Sequence, residues 1–380
     1  MLGLEILDMM RFRRAEWLET LAGLVEHESP SGDKPRLDLL AGGIASRLRA
    51  IGGEVSVVTN HEGGNHILAR FFDRADGCKP ALVLGHFDTV WPVGTLASMP
   101  FRVEAGRAFG PGVFDMKASL VEAEFAIDGL RKLSQVPPRP VVVLITSDEE
   151  IGSPTSRRLI EETAQGCEYV LVLEPPLADG SLKTSRKGVG QFVLEVEGKA
   201  AHAGVEPGRG VSAILELARQ VVALHALTDL DCGVSVNVGL VEGGSAANVV
   251  PARALARVDV RASTIEQAEG LERSIRSLAS QTPGTRLSIR GGFNRPPMER
   301  TPAIARLFER ARVIGQSLGL VLGEGSTGGG SDGNFTAAQG VPTLDGLGIT
   351  GAGAHASHER IELDSLPERT ALLAMLLMHL

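Results

Sequence analysis

Three consecutive carboxylates, Asp148, Glu149 and Glu150, close the apolar run Val141 to Ile145 in the stretch VVVLITSDEEIGS. Like charges side by side repel, and burying them is costly unless a positive species compensates. The plainer reading is a solvated acidic turn that caps a helix starting near Pro154. Adjacent Glu149 and Glu150 point in different directions, so one can bind a metal while the other stays free as a base. In LGHFDTV, His86 and Asp88 are two apart and would share one face of a strand. A metal-bound imidazole usually donates its other N–H to a carboxylate, a partner that Asp88 would supply. The same spacing also serves a surface ion pair.

Further along, FGPGVFDMKASL places Asp115 after a tight Gly-Pro-Gly turn and before a helix. That position suits either an N-cap, with Lys117 near enough to pair, or a carboxylate shared between two cations. Glu174 ends the apolar strand of LVLEPP, where a structural role for a charge is hard to find. His355 and His358 lie in GAGAHASHERIEL. Two histidines and several carboxylates at strand ends, without a cysteine ligand, suit a zinc-type hydrolytic site with nitrogen and oxygen ligands.

Positioning such residues requires a particular frame. From about residue 55 to 185, apolar runs ending in polar residues alternate with helical stretches, one of them about Lys117 to Leu133. Alternating strands and helices imply an α/β domain whose sheet is mainly parallel and flanked by helices. Chemistry in such sheets gathers outside the carboxyl ends of the strands, where His86, Asp88, Asp148, Glu149, Glu150 and Glu174 fall. Residues 186–293 follow a different order, βαββαβ, the ferredoxin-like pattern. The expected organisation is a catalytic domain of residues 1–185 and 294–380, interrupted by an inserted lid or dimerisation domain of residues 186–293.

The length of 380 residues fits two domains. A net charge of −8 and the lack of a basic cluster argue against nucleic acid as a partner. Cys78, Cys167 and Cys232 are an odd, widely spaced set that fits neither a disulfide framework nor a thiolate zinc site, which points to a reducing compartment. The N-terminal segment reads as an amphipathic helix, with Trp17, Leu18, Leu21, Leu24 and Val25 at helical spacing, and not as a secretory signal. No apolar run approaches membrane-spanning length, so the expected location is cytoplasmic.

In order, GHFDTV, GPGVFDMK, SDEEIGS, LEPP, GKAAHAG, GGGSDG and GAHASHERI resemble the motifs of the dinuclear zinc peptidases of the carboxypeptidase G type. That family includes aminoacylases, succinyl-diaminopimelate desuccinylases and acetylornithine deacetylases. The resemblance runs from about residue 20 to the C-terminus and is closest to the glutamate carboxypeptidase branch. It implies that His86 and Glu174 hold one zinc, that Glu150 and His355 hold the other, and that Asp115 bridges them. Glu149 becomes the general base and acid, Asp88 the partner of His86, and His202 an oxyanion donor that often serves a neighbouring subunit. Arg295 resembles the arginine that grips a substrate carboxylate; Asn248 and the GGGSDG loop, with Gly330 and Ser331, would contact substrate. His358 departs from the family pattern, and His355 is preferred because it follows Gly-Ala.

The expected activity is therefore cleavage of the amide bond of a C-terminal amino acid in a small peptide or N-acyl amino acid. Two Zn²⁺ would assist, with Mn²⁺ or Co²⁺ as substitutes, in a homodimer formed through the inserted domain. The rival within enzymes is an N-acyl-amino-acid deacylase. The rival from another class is a metal-free binding protein on the same fold, which should lack a ligand; none is missing. Two further patterns are set aside. HEGGNH (61–66) has histidines five apart across Gly-Gly-Asn and reads as a turn before a strand at Ile67. GLGITG (346–351) lies too near the C-terminus to open a βαβ unit, and its glycines are expected to let backbone approach His355.

Overall fold

The computed structural model describes residues 2–74 and 77–380, and the chain divides into two compact units. The first comprises Met1–Ser185, Arg300–Thr327 and Ser331–Leu380; the second comprises Arg186–Glu299 with Gly328–Gly330.

A six-stranded sheet organises the first unit. Ala81–His86 lies between Val141–Thr146 and Tyr169–Val172, parallel to both, and Thr343–Leu344 extends the parallel part. His66–Phe71 and Glu54–Val58 add antiparallel strands at the other side. Every residue of the three central strands is buried, as expected where helices cover both faces. Side chains alternate between two cores. Val83, Val143, Ile145 and Leu171 join the larger one with Trp17, Leu21, Phe125 and Leu372. Leu82, Leu84, Leu144 and Val172 face a smaller one with Ile160 and Phe335. Truncating such a leucine to alanine typically costs about 2 to 5 kcal/mol.

The N-terminal segment forms two helices, Leu2–Phe12 and Arg14–Val25, and Trp17, Leu21 and Val25 are wholly buried. The C-terminal helix Ser365–His379 is apolar nearly all round because it runs inside the unit, packed on Leu2–Phe12 and Ala118–Lys132. A second, small antiparallel sheet joins Arg102–Glu104, Arg107–Phe109, Arg360–Glu362 and Gly351–Ala352. Its three- and two-residue strands carry too little periodicity to be read from the sequence. Among the described residues, no helix is long and apolar enough to cross a membrane.

In the second unit, Ser235–Gly243, Arg253–Ala262, Gly188–Glu197 and Arg286–Arg295 form an antiparallel sheet in that spatial order. With helices Ala213–His225 and Ile265–Arg276 between the strands, this is the βαββαβ arrangement. Alternate residues Phe192, Leu194 and Val196 pack into a core with Leu217, Leu224, Leu271 and Ile275. Both helices start on side-chain caps: Ser212 accepts from Leu215 N, and Thr264 forms a reciprocal box with Gln267. Ser235–Gly243 is an edge strand on which Leu240 and Val241 are exposed.

Candidate metal centre

Strand register brings the chemistry together. His86 pairs with Thr146, so the carboxyl ends of two neighbouring parallel strands lie level. The stretch Ser147–Glu150 leaves one of them and the loop through Asp88 leaves the other, while Glu174 lies two residues beyond Val172 on the third strand. Asp115 has non-helical backbone angles in the irregular segment before the helix Ala118–Lys132, and Lys117 occupies that helix's N-cap position. Asp115 is therefore not an N-cap. Nor does Lys117 pair with it in the way a capping pair would: the buried Lys117 Nζ donates to the carbonyls of Leu24 and His27.

The two oxygens of Asp115 face two different histidines. Oδ1 lies 3.3 Å from His86 Nε2, and Oδ2 lies 3.3 Å from His355 Nε2. Glu174 Oε1 stands 3.4 Å from His86 Nε2, and Glu150 stands 3.1 Å from His355 Nε2. Ligand atoms of His86, Glu149 and Glu174 fall within 4.8 Å of one another, as do those of Asp115, Glu150 and His355. Glu149 thus belongs to the first group, where either a ligand or a base would stand. His358 is exposed and belongs to neither group. His355 itself takes a left-handed backbone (φ +60°), uncommon for a residue with a side chain.

Burial and charge oppose each other throughout this cluster. Burial lowers the proton affinity of His86, but Asp115, Asp88 and Glu174 together raise its pKa well above the ordinary histidine value. Asp115 and Glu150 push His355 up to about 10. Burial alone would raise Asp115, yet His355 and His86 hold it well below the usual carboxylate range. Burial, with Asp115 nearby, pushes Glu150 up despite the His355 ring.

The buried Asp88 carboxylate stands beside His86, as expected, and has further partners. Its carboxylate is not the nearest partner of His86, whose Nδ1 lies 3.1 Å from the main-chain carbonyl of Asp88 and 3.4 Å from the carboxylate. The strand ends at His86, so the two residues do not share a strand face. The carboxylate also accepts the main-chain N–H of Glu149 (3.1 Å) and Glu150 (3.2 Å) and the Ser31 hydroxyl (2.6 Å). Asp148 is buried and accepts from the backbone and hydroxyls of Thr155 and Ser156, the two residues before helix Arg157–Gln165, so it fixes the approach to that helix and is not a solvated cap.

The set-aside motifs are structural. His66 opens a strand, is buried, and lies 3.2 Å from both the Ser147 and Thr155 hydroxyls. The GLGITG loop approaches Glu174 rather than His355. Gly348 donates to the Glu174 carbonyl, and a side chain there would meet the Ser119 hydroxyl at 2.2 Å and the Leu173 carbonyl at 2.5 Å. Buried Arg369 holds the loop by donating to the Gly346 and Gly348 carbonyls. Ser331 is fully buried, with its hydroxyl donated to Asp345, so its side chain presents no surface to a substrate.

The other candidate residues lie in the second unit. His202 belongs to a two-residue strand paired with Val249–Val250, and Asn248 accepts the N–H of Ala203 through its carbonyl, so the ladder brings His202 and Asn248 together. The exposed His202 ring accepts the N–H groups of Gly204 and Val205 on Nδ1, which leaves Nε2 as the protonated, donating nitrogen of the neutral ring. Arg295 is buried, and a side chain at Gly330 would meet its Cδ at 2.8 Å, so the two pack closely.

One buried residue has no counterpart in the sequence reading. The Glu359 carboxylate accepts the main-chain N–H groups of Gly112, Phe114 and Asp115 and the indole N–H of Trp91. The only local signal is an acid four residues after His355.

These donors fit divalent metal. Among the described residues, His86 Nε2 and Asp115 Oδ1 are buried without a hydrogen-bond partner, and the crowded carboxylates require positive charge. An all nitrogen-and-oxygen donor set with one carboxylate facing both groups is that of a dinuclear hydrolytic site.

Fold and site together define a metallopeptidase-type hydrolase. The sequence profile of peptidase family M20/M25/M40 matches residues 82–379, and the chain belongs to that family, whose members hydrolyse peptide or amide bonds. The chain is 30% identical over 370 residues to carboxypeptidase G2 of Pseudomonas sp. (strain RS-16), covering 96% of this chain and 89% of that protein. It is 29% identical over 351 residues to a succinyl-diaminopimelate desuccinylase of Beijerinckia indica subsp. indica, covering 85% and 88%. Among solved structures, aminopeptidase PepT of Bacillus cereus shares the fold at a TM-score of 0.82 and 21% identity, covering 96% of this chain and 98% of that one. An M20 family metallo-carboxypeptidase of Sulfolobus solfataricus does so at 0.72 and 18%, covering 96% and 99%.

Proposed function

We propose that this protein cleaves the amide bond of a C-terminal amino acid in a small peptide or N-acyl amino acid, as a glutamate carboxypeptidase-like enzyme. The observation that carries the reading is Asp115 facing His86 and His355 at 3.3 Å through its two oxygens. His86 and Glu174 would hold one zinc and Glu150 and His355 the other, with Asp115 between; manganese or cobalt would suit the same donors. Divalent ions held by these residues would supply acidification of a water and polarisation of a carbonyl. Glu149 takes the proton of the attacking water and returns it to the departing amine. We assign to His202 the donation of its Nε2 proton to the oxygen that gains charge, across a homodimer formed through the second unit. Arg295 would grip the substrate carboxylate, with Asn248 and the backbone at Gly330 alongside. The three free cysteines fit a reducing, cytoplasmic setting.

Similarity to a carboxypeptidase over nearly the whole chain supports this reading, and similarity to desuccinylases favours an N-acyl-amino-acid deacylase as the second. A panel of dipeptides, N-acyl glutamates and other N-acyl amino acids, offered to zinc-loaded protein with and without a chelator, separates the two. Chelator-sensitive release of a C-terminal amino acid from peptides is expected. Turnover of N-acyl amino acids alone establishes the deacylase, and chelator-insensitive or absent turnover rejects both.

A further inference from the structure

Resting on the metal-centre reading above, we propose that Glu359 is a positioning residue: it holds the loop of Asp115 in ligating geometry and ties it to the loops carrying His86 and His355. Oε1 accepts from Phe114 N (2.9 Å) and Asp115 N (3.0 Å); Oε2 accepts from Gly112 N (2.9 Å) and Trp91 Nε1 (2.8 Å). Four donors converge on one wholly buried carboxylate, filling its acceptor capacity. Asp115 stands in backbone that is not helical, so its segment lacks the regular ladder that would otherwise satisfy these amides. Without Glu359, buried N–H groups beside a metal ligand would be left unpaired.

The clamp is set by strand pairing. Arg360 pairs with Phe109 in the small sheet, which delivers Glu359 to the turn that begins at Gly110. The residues that donate to it come from two segments. Trp91 follows His86 and Asp88 on the loop leaving the central strand, and Gly112 to Asp115 form the irregular segment. Glu359 itself lies four residues beyond His355. One carboxylate thus joins three ligand-bearing loops. Only an acceptor at both oxygens can do this; a glutamine turns an NH₂ group toward two of the four donors.

The test is Glu359→Gln, with zinc affinity measured by competition with a chromophoric chelator and ligand geometry followed by the visible spectrum of the cobalt-loaded protein. The expected result is zinc binding weaker by about tenfold to a hundredfold at one or both positions, with an altered cobalt spectrum, in protein whose circular dichroism is that of the wild type. Wild-type affinity and spectrum in folded Glu359→Gln would overturn the inference. If that variant does not fold, Trp91→Phe, which removes one donor only, decides: weaker zinc binding supports the clamp and unchanged binding overturns it. Wild-type protein that takes up no metal sinks the parent reading as well. Wild-type loading with an unaffected variant sinks this inference alone.

Discussion

The carboxylate of Asp88 accepts the main-chain N–H of Glu149 at 3.1 Å. The residue that stands beside the His86 imidazole thus also fixes the peptide from which the proposed base projects. Asp88→Asn keeps the shape but turns an N–H donor toward a donor. It should lower kcat by about tenfold to a hundredfold, the usual cost of disturbing a supporting partner. Steady-state kinetics on folded protein check this, and wild-type kcat would dissociate Asp88 from catalysis.

Glu149 and Glu150 separate base from ligand. Glu149→Gln should retain both metals by elemental analysis and lose on the order of 10² to 10⁴ in turnover, because proton transfer is removed. Glu150→Gln should weaken metal binding instead, since Glu150 stands 3.1 Å from His355 Nε2. Equal metal loss in the two variants would refute the assignment.

His202→Ala should leave metal content unchanged and cost about a hundredfold to a thousandfold in turnover, the loss usual for one oxyanion donor. If the donor acts across a dimer, mixing His202→Ala with Glu149→Gln protein should restore some activity, because recombined pairs carry one intact composite site. Wild-type turnover in His202→Ala refutes the role; a strong loss without restoration in verified mixed dimers assigns it to the same chain.

The buried Glu122 makes stability depend on pH. Among the described residues neither of its carboxylate oxygens has a hydrogen-bond partner, and burial pushes its pKa up from 4.5 to about 8, against the opposing pull of Arg369. The folded state keeps this proton after the unfolded chain has released it, so stability is full below about pH 4.5 and falls as pH rises toward 8. Glu122→Gln cannot ionise. Its melting temperature should therefore gain on that of the wild type between pH 5 and pH 9 in paired thermal scans. A constant difference would show that Glu122 is not titrating in the core.

Apolar runs that end in carboxylates mark strand ends, and for that reason the central sheet and the side-chain alternation of the second unit were legible from composition and period alone. The ligand-type residues lie at those same ends, so a linear motif order carries them. What sequence hides is the long-range hydrogen bond to backbone. Glu359 reaches amides 244 to 247 residues away, and no local pattern encodes such a contact. The backbone contacts of Asp88 and Asp148 were hidden for a related reason: a carboxylate in a motif does not show which main-chain N–H groups it also meets. The small sheet escaped because strands of two or three residues have no period to detect.

The pairing of Arg360 with Phe109 also limits how this chain can vary in length. His355 and Glu359 are separated by Ala356, Ser357 and His358, in a stretch that must meet a histidine partner at one end and a strand register at the other. An extra residue inserted there shifts one end against the other: either the imidazole leaves Glu150 or the carboxylate leaves the amides. Exposed loops ordinarily tolerate insertions, and Ser357 and His358 are exposed. This one is a ruler, and its length, more than the identity of its middle residues, is what the fold holds constant.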